Sequence, residues 1–160
     1  NKPLKITDAG KKQAALVARK HRLTEMKKKE KMNFGWETVH EIAEQLEHIH
    51  SETFFDKMDE LLNYPKYDPH GEPIPDKEGN IIAQDLKKLS SCEIGEQAIF
   101  TAVTITDDDF LSFLNEKKLV LGKKIKVLNI EKFDKSMLIK VQEEEIILSK
   151  MVCDKILVKQ

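Results

Sequence analysis

Trp36-Glu-Thr-Val-His40-Glu-Ile-Ala-Glu44-Gln-Leu-Glu47-His48 is the stretch on which the fold of this chain turns. Wound as a helix at about 100° per residue, with His40 at zero, it puts Glu44 at roughly 40°, Glu47 at roughly 340° and His48 at roughly 80°. Four potential metal donors then share an arc of about 100°. Val39, Ala43, Leu46 and Ile49 fill the neighbouring apolar arc, so the donor stripe runs along the edge of a buried face. Carboxylates and imidazoles converging there are costly to desolvate without a partner, and a divalent cation is such a partner. The competing reading is a solvated helix face whose His–Glu i, i+4 pairs interact only weakly.

The same residue types recur on either side. His21 and Glu25 stand at i, i+4 in an upstream helical stretch, and Tyr67–Pro75 contributes Asp68, His70 and Glu72. His50 falls on the apolar arc and reads as a core or interface histidine. His40-Glu-Ile-Ala-Glu44 approaches the zinc-protease pattern HExxH, but Glu44 stands where the second histidine belongs, so a catalytic zinc would lose a ligand. Neither a glycine-rich phosphate loop nor a nucleophile elbow is present, and neither cysteine has a histidine within a few residues. The chain does not read as an enzyme.

Beyond this stretch the chain divides by pattern. Residues 7–64 read as three helices. Thr7 or Asp8 caps the first, which runs through Lys11–Lys29 with Ala14, Ala15, Leu16, Ala18, Leu23 and Met26 as its apolar positions. The second starts near Trp36 and continues to about His50. Ser51 caps the third, whose Phe54, Phe55, Met58, Leu61 and Leu62 recur at helical spacing, and Pro65 and Pro69 stop it. Residues 76–91 form a linker. From residue 92 the pattern is β-branched: Ala98–Ile105, Lys124–Ile130, Met137–Val141, Ile146–Leu148 and Ile156–Val158 read as strands, with a helix over Asp108–Glu116. The expected class is α+β, a helical domain over residues 1–75 and a small closed barrel over 92–160, closure removing exposed edges.

Composition bounds the rest. At 160 residues, 40% hydrophobic and 34% charged, the chain can bury a core. No apolar run approaches the roughly 18–20 residues of a membrane span, and Asn1–Gly10 lacks the apolar stretch of a signal peptide, so no membrane association is expected. Two cysteines, Cys92 and Cys153, are too few for a disulfide framework or a zinc ribbon, which points to a reducing, cytoplasmic setting. The net charge of −1 hides an asymmetry: residues 1–31 hold eleven Lys/Arg against three Asp/Glu. A basic end of this kind lies near nucleic acid or is a solvated lysine-rich helix face, and no aromatics interleave to stack on bases.

Asp8-Ala-Gly-Lys, Arg19-Lys-His-Arg-Leu-Thr-Glu25, Val39-His-Glu with Glu44 and Leu46-Glu-His48, and Asp68-Pro-His-Gly-Glu-Pro-Ile-Pro75 together resemble the diphtheria toxin repressor family of iron- and manganese-dependent transcriptional regulators. The strand-rich end resembles that family's SH3-like domain, related to FeoA. The resemblance implies a homodimer whose operator DNA is read by an N-terminal winged helix-turn-helix. Leu4–Gly10 resembles the end of the wing and the start of the next helix, so the chain reads as the portion that follows the DNA reader and would touch operator DNA only through it. Two metal sites are implied. Glu44, Glu47 and His48 match the primary site, joined by His21 in manganese-type members. Glu25, with His40 or with Asp68 and His70, matches the ancillary site, which an acid of the SH3-like domain completes; Asp109 matches best, with Asp107 and Asp108 close. Iron-type members carry Cys where Glu44 stands, so a divalent transition metal is expected, with Mn²⁺ favoured over Fe²⁺. Some members bind an anion through the proline-rich segment; Asp68 and Glu72 would repel one. A FeoA-like metal-transport accessory without transcriptional function is the alternative.

Overall fold

The computed structural model describes residues 6–160. The first residues of the wing-like segment, Leu4 and Lys5, lie outside the described residues. The chain divides into two compact units, with the break between Gln84 and Asp85.

The first unit is helical. α1 spans Asp8–Met32; the Thr7 hydroxyl caps it by accepting from Gly10 N at 3.1 Å, and Asn33 ends it in the left-handed region at φ 60°. α2 spans His40–Leu46 and α3 Glu52–Leu61, the latter capped by Ser51, which accepts from Phe54 N. α1 packs against both. Leu23 and Met26 of α1 meet Phe55, Met58 and Leu62, and Ile74 of the proline-rich segment covers the cluster.

α2 is much shorter than the expected helix from Trp36 to about His50. The cause is competition for carbonyls. The carbonyls of Trp36 and Thr38, which a longer helix would offer to its own N–H groups, accept instead from the side chains of His70 and Lys28, and Lys28 donates to the Val39 carbonyl at the helix start as well. At the other end Ile49 N donates three residues back to Leu46 O, and the Ile49 carbonyl accepts from Lys20 Nζ. Glu47 and His48 therefore sit in the turn that leaves the helix, and His50, expected in a core or an interface, is exposed.

Pro65–Pro75 folds back on itself. Asp68 N donates to Glu72 O, and Asp68 Oδ1 accepts from the backbone of His70 at 2.8 Å and of Glu72 at 3.0 Å. Gly71 takes φ 89°, which a side chain would strain, so the reversal is tight enough to turn His70 inwards.

The second unit carries a six-stranded antiparallel sheet. Its strands are β1 (Lys87–Lys88), β2 (Gln97–Val103), β3 (Lys124–Ile130), β4 (Met137–Val141), β5 (Glu144–Leu148) and β6 (Ile156–Lys159), in the order β1-β6-β2-β3-β4-β5. α4 (Asp108–Glu116) interrupts and buries Leu111 and Leu114, and a short helix, α5 (Lys150–Cys153), precedes β6. Two features depart from expectation. Residues 87–91, expected in the linker, are structured, β1 pairing with β6 and a 3₁₀ turn following at Leu89–Ser91. The sheet is open and not a closed barrel: β1 and β5 are its edges. Edge pairing is discouraged here by other means, a two-residue strand on one side and the acidic run Glu143–Glu145 on the other.

Candidate metal centre

α1 buries three charged side chains, Arg19, Glu25 and Lys28, among its apolar positions. A helix does this only where each charge finds a partner. Arg19 donates to Asp56 at 3.0 Å and Asp59 at 2.8 Å on α3. Glu25, at 2% exposure, is the hub of the polar network.

One of its carboxylate oxygens, Oε1, lies 3.2 Å from His21 Nε2 and 3.2 Å from His40 Nδ1, and those two nitrogens are 3.0 Å apart. The other, Oε2, lies 3.6 Å from His70 Nδ1. Glu25 is thus shared by two groups of possible metal donors, His21–Glu25–His40 and Glu25–Asp68–His70, each with its donor atoms within 4.8 Å of one another. In the first group the separations of 3.0–3.2 Å match the edge of an octahedron with bonds of about 2.1 Å, roughly 3.0 Å.

The outer nitrogens of the imidazoles are engaged. His21 Nδ1 lies 2.6 Å from Glu47 Oε2, and His40 Nε2 lies 3.4 Å from Glu44 Oε1. A carboxylate on one ring nitrogen holds its proton and leaves the other nitrogen's lone pair for a cation. His70 Nε2 donates to the Trp36 carbonyl at 2.8 Å, turning Nδ1 towards Glu25. The rings of His70 and Trp36 stack with centroids 6.1 Å apart.

Electrostatics follow this arrangement. Burial alone would raise the Glu25 pKa, yet hydrogen bonds from His21 and His70 hold it down to about 2. Burial pulls both histidines down, but Glu25 with Glu47 at His21, and Glu25 with Asp68 and the Trp36 carbonyl at His70, more than offset it, and both end above the ordinary value. Asp68 goes the other way: burial, then the Glu25 charge, push it up to about 6.

The expected site residues separate accordingly. His21, Glu25 and His40 come together, as do Glu25, Asp68 and His70. Among the described residues Glu44, Glu47 and His48 form no such group: the first two face the imidazoles from outside, and His48 is largely exposed with Glu47 at 3.9 Å. Asp109 lies in the first turn of α4 in the second unit; its neighbour Asp107 caps that helix, accepting from Phe110 N at 3.1 Å. Glu72 is paired with Arg22, whose guanidinium also donates to the Pro73 carbonyl and lies 3.5 Å from Asp68. Lys28 was not anticipated as part of this region; a lysine inside the buried stripe of α1 was its sequence signal.

Residues 7–76 match the family described as iron dependent repressor, metal binding and dimerisation domain, and residues 87–160 match the FeoA domain. The chain is 39% identical over 75 residues to the iron-dependent repressor IdeR of Mycobacterium leprae, covering 47% of this chain and 33% of that protein. It is 36% identical over 70 residues to a probable metal transport system membrane protein of Chlamydia trachomatis, covering 44% of this chain and 16% of that one. Among solved structures, a manganese-dependent transcriptional repressor in complex with manganese superposes with a TM-score of 0.90 at 26% identity, over 96% of this chain and 73% of the other. ScaR with bound Zn²⁺ superposes with a TM-score of 0.82 at 33% identity, over 96% and 76%. The chain belongs to the diphtheria toxin repressor family of metal-dependent regulators. It spans about a third of the length of the curated repressors it matches. Among the described residues no helix is long and apolar enough to cross a membrane.

Proposed function

We propose that this chain is the metal-sensing and dimerising portion of a metal-dependent transcriptional repressor controlling manganese or iron homeostasis. The observation that carries the proposal is the Glu25 carboxylate, buried and facing two imidazoles with one oxygen and a third with the other. His21, Glu25 and His40 hold a divalent ion on one side, with Glu47 and Glu44 fixing the ring protons. Glu25, Asp68 and His70 supply the donors on the other. All are oxygen or nitrogen donors, a set that accepts both Mn²⁺ and Fe²⁺; the absence of a thiolate is the ground for favouring Mn²⁺. Residues 7–76 carry the sensing and pairing surfaces, and residues 87–160 form the FeoA-like module. Operator contact belongs to the winged helix-turn-helix that the family carries ahead of the matched region.

Calorimetry with Mn²⁺ on the wild-type chain and on His70→Ala and Glu47→Ala tests the assignment. The expected order is a larger loss of affinity for His70→Ala, which removes a donor, than for Glu47→Ala, which removes the partner of one. If Glu47→Ala has the larger effect, the site centres on Glu47 and His48 instead. Equal, unchanged binding in both variants would reduce the cluster to a polar helix face.

A second reading rests on the likeness to the chlamydial transport protein and on the FeoA match: a metal-binding module of a transport system. A helix-turn-helix encoded immediately ahead of Asn1 supports the repressor; a membrane-protein reading frame there supports the transport module.

A further inference from the structure

Lys28 is the residue of this region that neither the donor groups nor the core explains. It is 3% exposed, and its ammonium donates to the Thr38 carbonyl at 3.0 Å and the Val39 carbonyl at 3.1 Å. The same nitrogen lies 4.8 Å from the centroid of the Phe34 ring. An ammonium has three N–H donors; two carbonyls and one aromatic face lie against it, and the carboxylates of Glu41 and Glu25 act on its charge from further off.

The two carbonyls are those of the residues immediately before His40. α2, which begins there, has seven residues, and no side chain caps its N-terminus, since Val39 occupies the cap position in helical conformation. A helix this short does not hold itself in place. Its apolar anchors are Val39 and Ala43, both fully buried, one of which is a residue that Lys28 grips. His40 is meanwhile required to hold Nδ1 3.2 Å from Glu25, a separation that a displacement of about 1 Å would spoil.

We propose that Lys28 is a positioning residue for the metal centre: its buried ammonium clamps the Thr38 and Val39 carbonyls and thereby fixes the start of α2, and with it His40, against Glu25 and His21. The inference rests on the metal reading of His21, Glu25 and His40. The clamp acts through backbone and not through charge at the ion. A buried cation acting by charge alone would repel a divalent ion, and its removal would tighten binding; loss of a clamp weakens it. The two mechanisms therefore have opposite signs.

The test uses Lys28→Met, which keeps the length of the side chain and removes the donors. Hydrogen exchange is followed on the metal-free chain and Mn²⁺ affinity by calorimetry. Leu62→Ala, a truncation in the apolar cluster between α1 and α3 that leaves every donor and Lys28 in place, is the control for general loss of stability. The expected result is faster exchange of the amides of residues 40–46 in Lys28→Met, with α3 unchanged. Mn²⁺ affinity should fall about tenfold, while Leu62→Ala leaves it within about twofold. Unchanged exchange in 40–46, tighter Mn²⁺ binding, or an equal loss in Leu62→Ala would each overturn the proposal. If the wild-type chain binds no Mn²⁺, the metal reading fails by itself, and the exchange data still decide whether Lys28 holds α2.

Discussion

Glu25 shows how one side chain couples acid–base chemistry to structure. Without metal its charge is compensated by His21 and His70, and the signs of the shifts set the pH response. Glu25 is depressed to about 2, so its contribution is present above the ordinary carboxylate range and is lost as pH falls towards 2. Asp68 is raised to about 6, so the folded state binds a proton the unfolded chain has released, and stability falls as pH rises from about 4 to about 6. His21 and His70 are raised, so their contribution is complete below about 6.5 and is lost as pH rises through their folded values. The metal-free chain should therefore melt at a lower temperature at pH 8 than at pH 6. Added Mn²⁺ should raise the melting temperature more at pH 8 than at pH 6, because binding there displaces fewer protons. Melting curves at the two pH values, with chelator and with Mn²⁺, check both statements; a metal-free chain more stable at pH 8 would contradict the first. The residue types of the centre were legible in the sequence, because His and Glu at i, i+4 on a half-apolar helix are costly without a partner. Which oxygen of Glu25 faces which ring was not, nor that Glu44 and Glu47 stand outside the imidazoles, because those depend on where α2 lies against α1.

Among the elements, those whose ends are set locally were readable. The Asp107 cap and the apolar spacing of Phe110, Leu111 and Leu114 define α4, and alternation of β-branched residues defines β3 and β4 to the residue. α2 was not readable in its length, because its limits are imposed by Lys28, His70 and Lys20 from other parts of the chain. Closure of the sheet was likewise over-read: strand count alone does not say whether the last strand returns to the first. α3 offers the sharpest element-level test. Its two adjacent aromatics have opposite surroundings, Phe55 being fully buried against Leu23 and Met26 while Phe54 is 41% exposed. Phe55→Ala should lower the stability of the helical unit by about 3–5 kcal/mol in urea unfolding, and Phe54→Ala by less than about 1 kcal/mol at a concentration where association is not linked to folding. Similar losses in both would mean that the packing of α3 differs from that described.

For the molecule as a whole, the exposed apolar residues of the helical unit bear on assembly. Phe54 and Leu61 of α3, at 41% and 55% exposure, accompany Ile42 and Ile49 at 41% and 38%. Exposed apolar groups of this kind are what the proposed dimer would use, since an isologous pairing of two copies would cover them on both. The chain should sediment as a dimer at micromolar concentration in the presence of chelator, and Phe54→Glu with Leu61→Glu should convert it to monomer. A metal-free wild-type monomer under those conditions would overturn this expectation.

Trp36 is the only tryptophan in the chain, and its ring lies on His70 while its own carbonyl accepts a hydrogen bond from that histidine. A single fluorophore thus lies against an imidazole that faces Glu25. A protonated imidazole drains indole emission and a neutral one drains it less, so brightness becomes a direct gauge of one ring's proton. No dye needs to be attached, and no second indole dilutes the reading.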